Sequence, residues 1–143
     1  MKKNQGFSLL ELLIVVAIIL IIATIAIPSL LRSRQAANES AAVSNLRNLN
    51  TAEVAYQSNH IGAYGAVSDL VAAGLIDSRF STTLSGYDFV VTLSGNALDY
   101  TATATARAQN DGRFDYYSAP DYVIRYSTTA SRAPSGLTGQ PVR

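Results

Sequence analysis

Apolar residues are concentrated near the start of the chain. The 25 residues at positions 7–31 contain a single charged side chain, Glu11. As a helix, this stretch would be roughly 37 Å long, which is enough to cross the apolar core of a bilayer with some tilt. A soluble globular domain rarely carries such a run. The pattern therefore predicts that residues 7–31 form a helix whose partner is a membrane or other helices.

The helical pattern continues through residues 29–60 but becomes amphipathic. There is no glycine between Phe7 and Ile61, and Pro28 is the only proline in that stretch. Apolar side chains recur at helical spacing, which predicts one buried face. That face is expected to carry Ala42, Leu46, Leu49 and Tyr56, with Ala52 and Ala55 nearby. Charged and amide side chains are expected outside it, among them Arg32, Glu39, Arg47, Asn48 and Glu53.

Pro28 lies inside this long helical pattern, near the end of the apolar run. Proline removes a backbone donor, and its ring clashes with the preceding turn of a helix. We therefore expect a helix kink at Pro28, or a local loss of helix over residues 23–28.

Residues 61–127 show the pattern of a small mixed domain. Glycine, serine, threonine and tyrosine become frequent, and turn signals separate short apolar runs. A short helix is predicted at residues 67–76, with Ser68 or Asp69 near its cap and Gly74 at its end. Four strands are predicted, at residues 86–93, 98–106, 113–117 and 122–127, with turns at 94–96, 110–112 and 119–121.

Together these elements predict an α+β fold. A long N-terminal α-helix, apolar in its first half, packs through its second half on a four-stranded antiparallel sheet, because such a meander needs a partner for its apolar face. The expected organisation is a leader at residues 1–6, a transmembrane or assembly helix at 7–31, an amphipathic helix half at 29–60, a globular head at 61–127 and a mobile tail at 128–143. The tail contains prolines and glycines and shows no periodicity.

Composition argues against several kinds of enzyme. The 143 residues include no cysteine and one histidine, His60, which excludes a disulfide frame, a cysteine nucleophile and a multi-histidine zinc site. His60 falls at the predicted end of the long helix, where a surface cap is favoured over catalysis. The net charge of +1 gives no general attraction to nucleic acid, so that partner is compatible with the chain but not indicated. We expect a structural protein without a cofactor.

One loop offers weak candidates for a metal site. Asp111 and Asp115 lie close together in sequence, and Asp121 follows shortly after them. Their carboxylates are the kind of ligand that Ca²⁺ prefers, but the full spacing of an EF-hand is missing. A polar hairpin turn is the favoured interpretation, and no metal is expected.

Aromatic residues gather in and beside the predicted strands. Cross-strand packing is the favoured interpretation. An adhesive or base-stacking surface, helped by neighbouring arginines, is the alternative. The set consists of Tyr87, Phe89, Tyr100, Phe114, Tyr116, Tyr117, Tyr122 and Tyr126.

Three interpretations of the N-terminus remain open on residue chemistry alone. Lys2 and Lys3 precede the apolar run and favour a cytoplasmic N-terminus. The run could be a cleaved secretory signal, with residues 24–26 as a passable cleavage site, or an uncut membrane anchor. In the third interpretation the chain is cut before the apolar run, which then stays on the mature protein.

Glu11 bears on this choice. A carboxylate inside an apolar segment costs on the order of 2–3 kcal/mol and usually has a partner. The next basic residue along the chain is Arg32. A cut after Gly6 would give Phe7 a free α-amino group one helical turn from Glu11, in the same chain or in a neighbouring subunit. The alternative is a glutamate whose side chain reaches the lipid head groups.

The residues around this junction resemble the signal of type IV pilins and related prepilins. The matching stretch reads GFSLLELLIVVAI from Gly6 and continues with IAIP, which ends at Pro28. The resemblance implies that a prepilin peptidase cuts after Gly6, that the new N-terminal Phe7 is methylated, and that Glu11 is the assembly carboxylate. Residues 18–22 lack the glycine that many bacterial pilins have there, so a longer unwound stretch is not expected.

The layout of helix and sheet also resembles pilins, which implies a subunit of a type IV pilus-like extracellular filament. The precursor would lie in the bacterial inner membrane as a single-pass protein with a cytoplasmic N-terminus. An inner-membrane assembly platform would polymerise it into a homopolymer through the N-terminal helix. Adhesion, motility and uptake are the roles that the resemblance suggests.

Two alternatives remain. One is a pseudopilin of a type II secretion system, and the other is a membrane-anchored binding module that does not polymerise. Major pseudopilins typically hold their C-terminal loop with Ca²⁺, whereas residues 134–143 contain no acidic side chain and the chain has no tryptophan. This favours the pilin, although many pilins close that loop with a disulfide that this chain cannot form.

Overall fold

The computed structural model describes residues 6–127 and 139–142. The chain divides into two compact units after Arg34, and the first helix contributes to both. The predicted α+β class, a long helix followed by an antiparallel sheet, is confirmed. In chain order the elements are helix α1 (Leu9–Asn59), helix α2 (Val67–Ala72), a 3₁₀ turn (Ser78–Ser81), and strands β1 (Tyr87–Leu93), β2 (Tyr100–Ala106), β3 (Tyr116–Ser118), β4 (Arg125–Tyr126) and β5 (Gln140–Pro141).

Helix α1 runs without a break through Pro28. The local loss of helix predicted for residues 23–28 is therefore not present in this structure. Because Pro28 has no N–H, the carbonyl of Thr24 loses its usual helical donor. The residues around this defect are mainly leucine, isoleucine and alanine, which have good or fair helix propensity. The kink at Pro28 stays a prediction.

One face of α1 packs on one face of the sheet to form the core of the head. Ala42, Leu46 and Leu49 are fully buried on the helix side, as their spacing predicts. On the sheet side, the inward positions of β2 alternate with outward ones, as the two-residue period of a strand requires. These inward residues are one large aromatic and three small side chains, namely Tyr100, Ala102, Ala104 and Ala106.

The sheet is an antiparallel meander with its strands in sequence order. β1 and β2 pair along their full length, from Tyr87 opposite Ala106 to Leu93 opposite Tyr100. The predicted turn at residues 94–96 joins them, where Ser94 Oγ donates to Asn96 Oδ1 over 2.8 Å. Adjacent strands therefore follow each other with short connections, as a meander demands.

The sheet has five strands rather than the predicted four. β5 pairs antiparallel with β4, and the backbone N–H of Val142 donates to the carbonyl of Ile124 over 2.8 Å. Part of the segment predicted as a mobile tail thus adds a strand to the sheet, while residues 128–138 and 143 lie outside the described residues and the mobility of the tail stays a prediction. A two-residue strand is held by backbone hydrogen bonds, which leave no periodic side-chain pattern in the sequence.

The third and fourth strands are shorter than predicted. β3 begins only at Tyr116, because Asp115 turns inward and its Oδ1 accepts a hydrogen bond from the N–H of Ala106 over 2.9 Å. β4 begins only at Arg125, because Tyr122 takes a left-handed φ of 61°, which an extended strand does not allow. The predicted positions of both strands along the chain are otherwise retained.

Glu39 lies inside the head, although it was predicted outside the buried face of α1. It is 6% exposed, and Arg113 satisfies both of its oxygens. Oε1 accepts from the backbone N–H and Nε of Arg113 over 2.7 and 3.0 Å, and Oε2 accepts from Nη2 over 2.8 Å. Burial alone would raise the pKa of Glu39, but these hydrogen bonds and the charge of Arg113 hold it below its usual value.

Glu53 was also predicted to lie outside the buried face of α1, but it is completely buried. Its Oε2 accepts a hydrogen bond from the N–H of Gly65 over 3.1 Å. Its Oε1 has no hydrogen-bond partner among the described residues. Burial raises the pKa of Glu53 to about 7, because the charged form loses its hydration, and the nearby charge of Asp69 acts in the same direction.

A hydrogen-bonded polar group next to the core fixes how α1 sits on the sheet. Asn50 Nδ2 donates to Ser118 Oγ over 2.8 Å, and Asn50 Oδ1 accepts from Tyr100 Oη over 2.9 Å. The three side chains are buried and belong to α1, β2 and β3. Because a buried polar group is costly when unpaired, this arrangement allows one placement of the helix and disfavours shifted ones.

The loop between β2 and β3 is attached to α1 at several points. Besides the Glu39–Arg113 pair, Gln35 Nε2 donates to the carbonyl of Gln109 over 2.9 Å. One turn further along the helix, Asn38 Nδ2 donates to the carbonyl of Asp111 over 2.9 Å. Three polar residues on one side of α1 thus hold a loop that has no regular secondary structure.

Gly112 lies in this loop against the hydroxyl of Tyr87. A Cβ at position 112 would overlap that hydroxyl and the ring carbon that bears it. The ring is not free to move away, because Tyr87 is fully buried and its Oη donates to the carbonyl of Phe114 over 2.7 Å. A glycine is therefore required here for close approach.

We predict that Gly112→Ala lowers the free energy of unfolding by roughly 1–3 kcal/mol, because the new methyl group must displace Tyr87. Gly95→Ala is the matched control, since a Cβ at that turn position meets nothing within 4 Å. The control should change stability by less than about 0.5 kcal/mol. Urea unfolding of the purified chain in detergent measures both, and equal effects would contradict the close approach.

The burial of Glu53 predicts a stability that depends on pH. The neutral carboxyl is favoured in the folded state, so its contribution is complete below about pH 4.5 and is lost as the pH rises through about 7. Between pH 4.5 and 8, Glu53→Gln should gain roughly 2–3 kcal/mol in unfolding free energy relative to the wild type. Unfolding curves of the two proteins at a series of pH values test this. Parallel profiles would show that Glu53 does not titrate in the folded head.

Candidate functional site

The start of α1 carries a capping box formed by Ser8 and Glu11. Ser8 Oγ accepts a hydrogen bond from the N–H of Leu10 over 3.3 Å, and Glu11 Oε2 accepts one from the N–H of Ser8 over 2.9 Å. Reciprocal bonds of this kind satisfy backbone donors that the first turn of a helix leaves free. The carboxylate of Glu11 is therefore held facing back toward the residues that precede the helix.

Gly6 and Phe7 lie immediately before this box, outside any helix or strand. The side chain of Phe7 is exposed, and the position of a Cβ on Gly6 would meet nothing within 4 Å. Neither residue is therefore packed against the described part of the chain. Phe7 directly precedes Ser8, and the N–H of Ser8 donates to Glu11. The nitrogen of Phe7 is therefore one residue away from this contact. The rest of the predicted leader, residues 1–5, lies outside the described residues.

Residues 9–31 form what we call the apolar segment of α1. Its large hydrophobic side chains are exposed all around the helix, and the most apolar window has a mean hydropathy of 3.1 with none of it buried by the chain itself. By length and composition this helix can cross a membrane. The hydroxyl of Thr24 donates back to the carbonyl of Ile21 over 2.7 Å, which conceals a polar group within the apolar surface.

The weak Ca²⁺ candidates are used in other contacts. The carboxylate of Asp115 is buried and accepts from the backbone of Ala106, and Asp121 pairs with Arg125. The pKa of Asp121 is lowered, mainly by the hydrogen bonds from Arg125. Asp111 contributes its backbone carbonyl to Asn38. Across residues 6–127 and 139–142, no three acidic or histidine side chains come together in a way that could hold a metal ion.

Most of the aromatic residues in and beside the strands pack inside the head. Packing was the interpretation that the sequence favoured. The rings of Tyr87 and Tyr116 lie 6.0 Å apart, and those of Phe114 and Tyr126 lie 5.0 Å apart. Only Tyr122 of this set is an exposed side chain. His60 lies directly after α1 and stacks on the ring of an earlier helix residue, so it is a helix-end residue as expected.

The capping role of Ser8 was missed by the sequence reasoning. The signal was present, because Ser8 and Glu11 stand in the S-x-x-E spacing that marks a helix start. The buried position of Glu39 had no such signal, since its partner Arg113 is 74 residues away. The structure thus brings Gly6, Phe7 and Glu11 together at one end of α1, while Pro28 lies five turns further along the same helix.

Comparison with known proteins agrees with this geometry. Residues 1–27 match the family model described as the prokaryotic N-terminal methylation motif. The type IV wide pilus major component PilA4 of Thermus thermophilus is 29% identical over 130 residues, which cover 91% of this chain and 92% of that protein. The type IV major pilin protein PilA of Myxococcus xanthus is 46% identical over 54 residues, which cover 38% of this chain and 24% of that protein.

The two kinds of match cover different parts of the chain. The methylation motif accounts for the region of Gly6, Phe7 and Glu11, and the similarity to the Thermus protein covers 91% of the chain, which includes much of the sheet. The architecture of a long N-terminal helix with an antiparallel sheet is the one that the pilin resemblance predicts. The chain is accordingly similar to type IV pilins over most of its length and carries the prokaryotic N-terminal methylation motif over residues 1–27.

Proposed function

We propose that this chain is the structural subunit of a type IV pilus-like extracellular filament and not an enzyme. The observation that carries the proposal is the apolar segment of α1, which is exposed on all sides and has Glu11 of the capping box in its first turn. Such a surface needs a partner outside the chain, and identical helices of neighbouring subunits supply one. The two pilus proteins to which the chain is similar support this function. A filament of this kind would serve adhesion, motility or uptake at the cell surface.

Before assembly, the precursor lies in the bacterial inner membrane. The apolar segment spans the bilayer once, and Lys2 and Lys3 keep the N-terminus in the cytoplasm. Prepilin peptidase cuts between Gly6 and Phe7 on that side and methylates the new terminus, and an inner-membrane platform then moves subunits into the growing filament. The open backbone at Gly6 and Phe7 supports this order of events.

Cleavage changes the charge next to Glu11. The nitrogen of Phe7 becomes a cationic amine, one residue before the N–H that Glu11 already accepts. In an apolar bundle, the carboxylate of one subunit would pair with the amine of its neighbour, because each charge is costly without the other. The capping box keeps the carboxylate at the end of the helix, where the amine of an incoming subunit can reach it.

We predict that the native protein begins at Phe7. Removal of six of the 143 residues leaves 137, with one methyl group on the terminal nitrogen. Intact-mass measurement of filament protein sheared from cells checks this. Gly6→Val should accumulate the uncut chain, whereas the control Gly95→Ala should be processed normally. A mature chain that begins near Ile27 would instead indicate an ordinary secretory signal.

We predict that substitutions of Glu11 separate its role in capping the helix from its proposed role in pairing with the Phe7 amine. Glu11→Ala should abolish filaments without preventing membrane insertion, because docking loses its counter-charge while the segment becomes more apolar. Glu11→Gln keeps an oxygen that can accept from Ser8 but removes the charge, so it should fail in the same way. Ser8→Ala removes one capping bond and keeps the charge, so it should still assemble. The measurement is the yield of sheared filaments against membrane-bound precursor. Normal filaments from Glu11→Gln would eliminate the charge-pairing role.

A further inference from the structure

Ile61 projects from the head directly after α1 ends. Its side chain is fully exposed, and its φ is 54°, in the left-handed region. A β-branched residue is a genuine outlier in that conformation. The backbone is held there by its neighbours, because the N–H of Gly62 donates to the carbonyl of Gln57 over 3.1 Å and Gln57 Nε2 donates to the carbonyl of Gly62 over 3.2 Å.

Leu98 adds a second exposed apolar side chain beside this loop. It is 60% exposed and follows Ala97, which is also left-handed, with a φ of 54°. The N–H of Tyr64 donates to the carbonyl of Ala97 over 2.8 Å and so joins the loop after α1 to the turn between β1 and β2. We refer to Ile61 and Leu98 as the apolar tip. Ile61 itself and the residue before Leu98 are left-handed, and neither side chain of the tip is buried in the head, so the tip is free to make a contact outside it.

The same head carries an open groove beside α1, which we call the flank groove. It has a volume of about 470 Å³ and lies between the helix and the segment that leads into β1. Its polar lining consists of Asn45, Asn48, Thr51, Asp77 and Arg79. Its apolar lining consists of Ala52, Ala55, Leu75, Ile76, Phe80 and Leu84. The groove is therefore of the right chemistry to accept an aliphatic side chain.

The apolar tip and the flank groove lie at different heights along α1. Groove residues on the helix run from Asn45 to Ala55, whereas Ile61 comes after the helix end, roughly 9–24 Å further along the axis. A contact between the tip of one copy and the groove of another therefore displaces the second copy along the helix direction. Contacts between unlike surfaces do not close on themselves in a dimer. They repeat to form a ring or, where the rotation between copies does not close, an open filament.

One charged side chain on each surface could meet the other. Asp99 follows Leu98 and is exposed, and its carboxylate accepts a hydrogen bond from the N–H of Tyr100 over 2.8 Å. On the groove, the side chain of Arg79 is 71% exposed and uses only its Nε, on Asp77, within the described chain. The Nη groups of Arg79 are thus available to a carboxylate brought in with the tip.

We propose that the flank groove receives the apolar tip of a second copy of this chain, with Asp99 of that copy facing Arg79. The inference rests on the proposed filament, in which the pairing of Glu11 of one copy with the Phe7 amine of its neighbour would offset the two α1 helices along their axes. It adds a specific contact between heads to the helix packing. The occupant is a copy of the chain itself, because the complementary projection belongs to the same head and parallel helices present it at a higher or lower level.

The absence of cysteine from the chain allows a direct cross-linking test. Ile61→Cys and Ala55→Cys, combined in one chain, should give a ladder of covalent multimers when filaments are treated with a short bis-maleimide. Each single variant should give only monomer. A chain that combines Val90→Cys with Ala55→Cys is the matched control, because Val90 is an exposed apolar residue elsewhere on the head, and it should give no ladder.

The outcomes separate this contact from the filament itself. If filaments form and the double variant gives no ladder, the contact between tip and groove is overturned while the proposed function stands. Dimers from Ile61→Cys alone would indicate a contact between two tips and would also overturn it. If the cysteine-free parent gives no filaments, the proposed function fails, which is a different result.

A substitution at the tip provides an independent measurement. Asparagine is better tolerated than isoleucine in the left-handed region, so Ile61→Asn should leave the purified subunit as stable as the parent or more so. The same change removes the side chain that fills the groove, so filament yield should fall by about tenfold. Val90→Asn is the control and should leave the yield unchanged. Filaments of Ile61→Asn at parental yield would overturn the proposal.

Discussion

An apolar helical surface without a partner in its own chain is the constraint on which the rest of this protein depends. Residues 9–31 expose nearly every aliphatic side chain they carry. Removal of apolar surface from water contributes roughly 25 cal/mol per Å², so this segment is stable only in a bilayer or against other helices. The second half of α1 does have a partner in its own chain, because its apolar face is covered by the sheet. One helix therefore serves association in its first half and folding in its second.

The few polar groups in the apolar segment are arranged so that its surface stays apolar. Thr24 bonds back to its own helix, and Glu11 lies at the end, where it caps the first turn. A carboxylate in the middle of the segment would oppose both membrane residence and helix packing. At the end of the helix, it is available to the amine that the proposed cleavage creates. Helix capping and the proposed assembly contact thus share one side chain.

The head is held on α1 by buried polar contacts rather than by disulfides. Arg113 reaches Glu39 on the helix, and Asn50 reaches Tyr100 and Ser118 on the sheet. Each contact joins residues that are distant in sequence, so each resists displacement of the sheet along the helix. The exception is Glu53, whose Oε1 has no partner within the described part of the chain. Its carboxyl remains in the core at a cost that grows with pH.

The sequence by itself determined the long helix, the α+β class, the packing stripe of Ala42, Leu46 and Leu49, and the candidates Gly6, Phe7 and Glu11. These depend on helical spacing, on the length of an apolar run and on a contiguous motif, all of which are local properties. Only the tertiary structure decided that Glu39 and Glu53 lie inside, that Gln140–Pro141 forms a strand and that Ile61 projects on a left-handed backbone. Each of these is settled by a hydrogen bond or a packing contact with residues elsewhere in the fold, and periodicity along a chain carries no record of such partners.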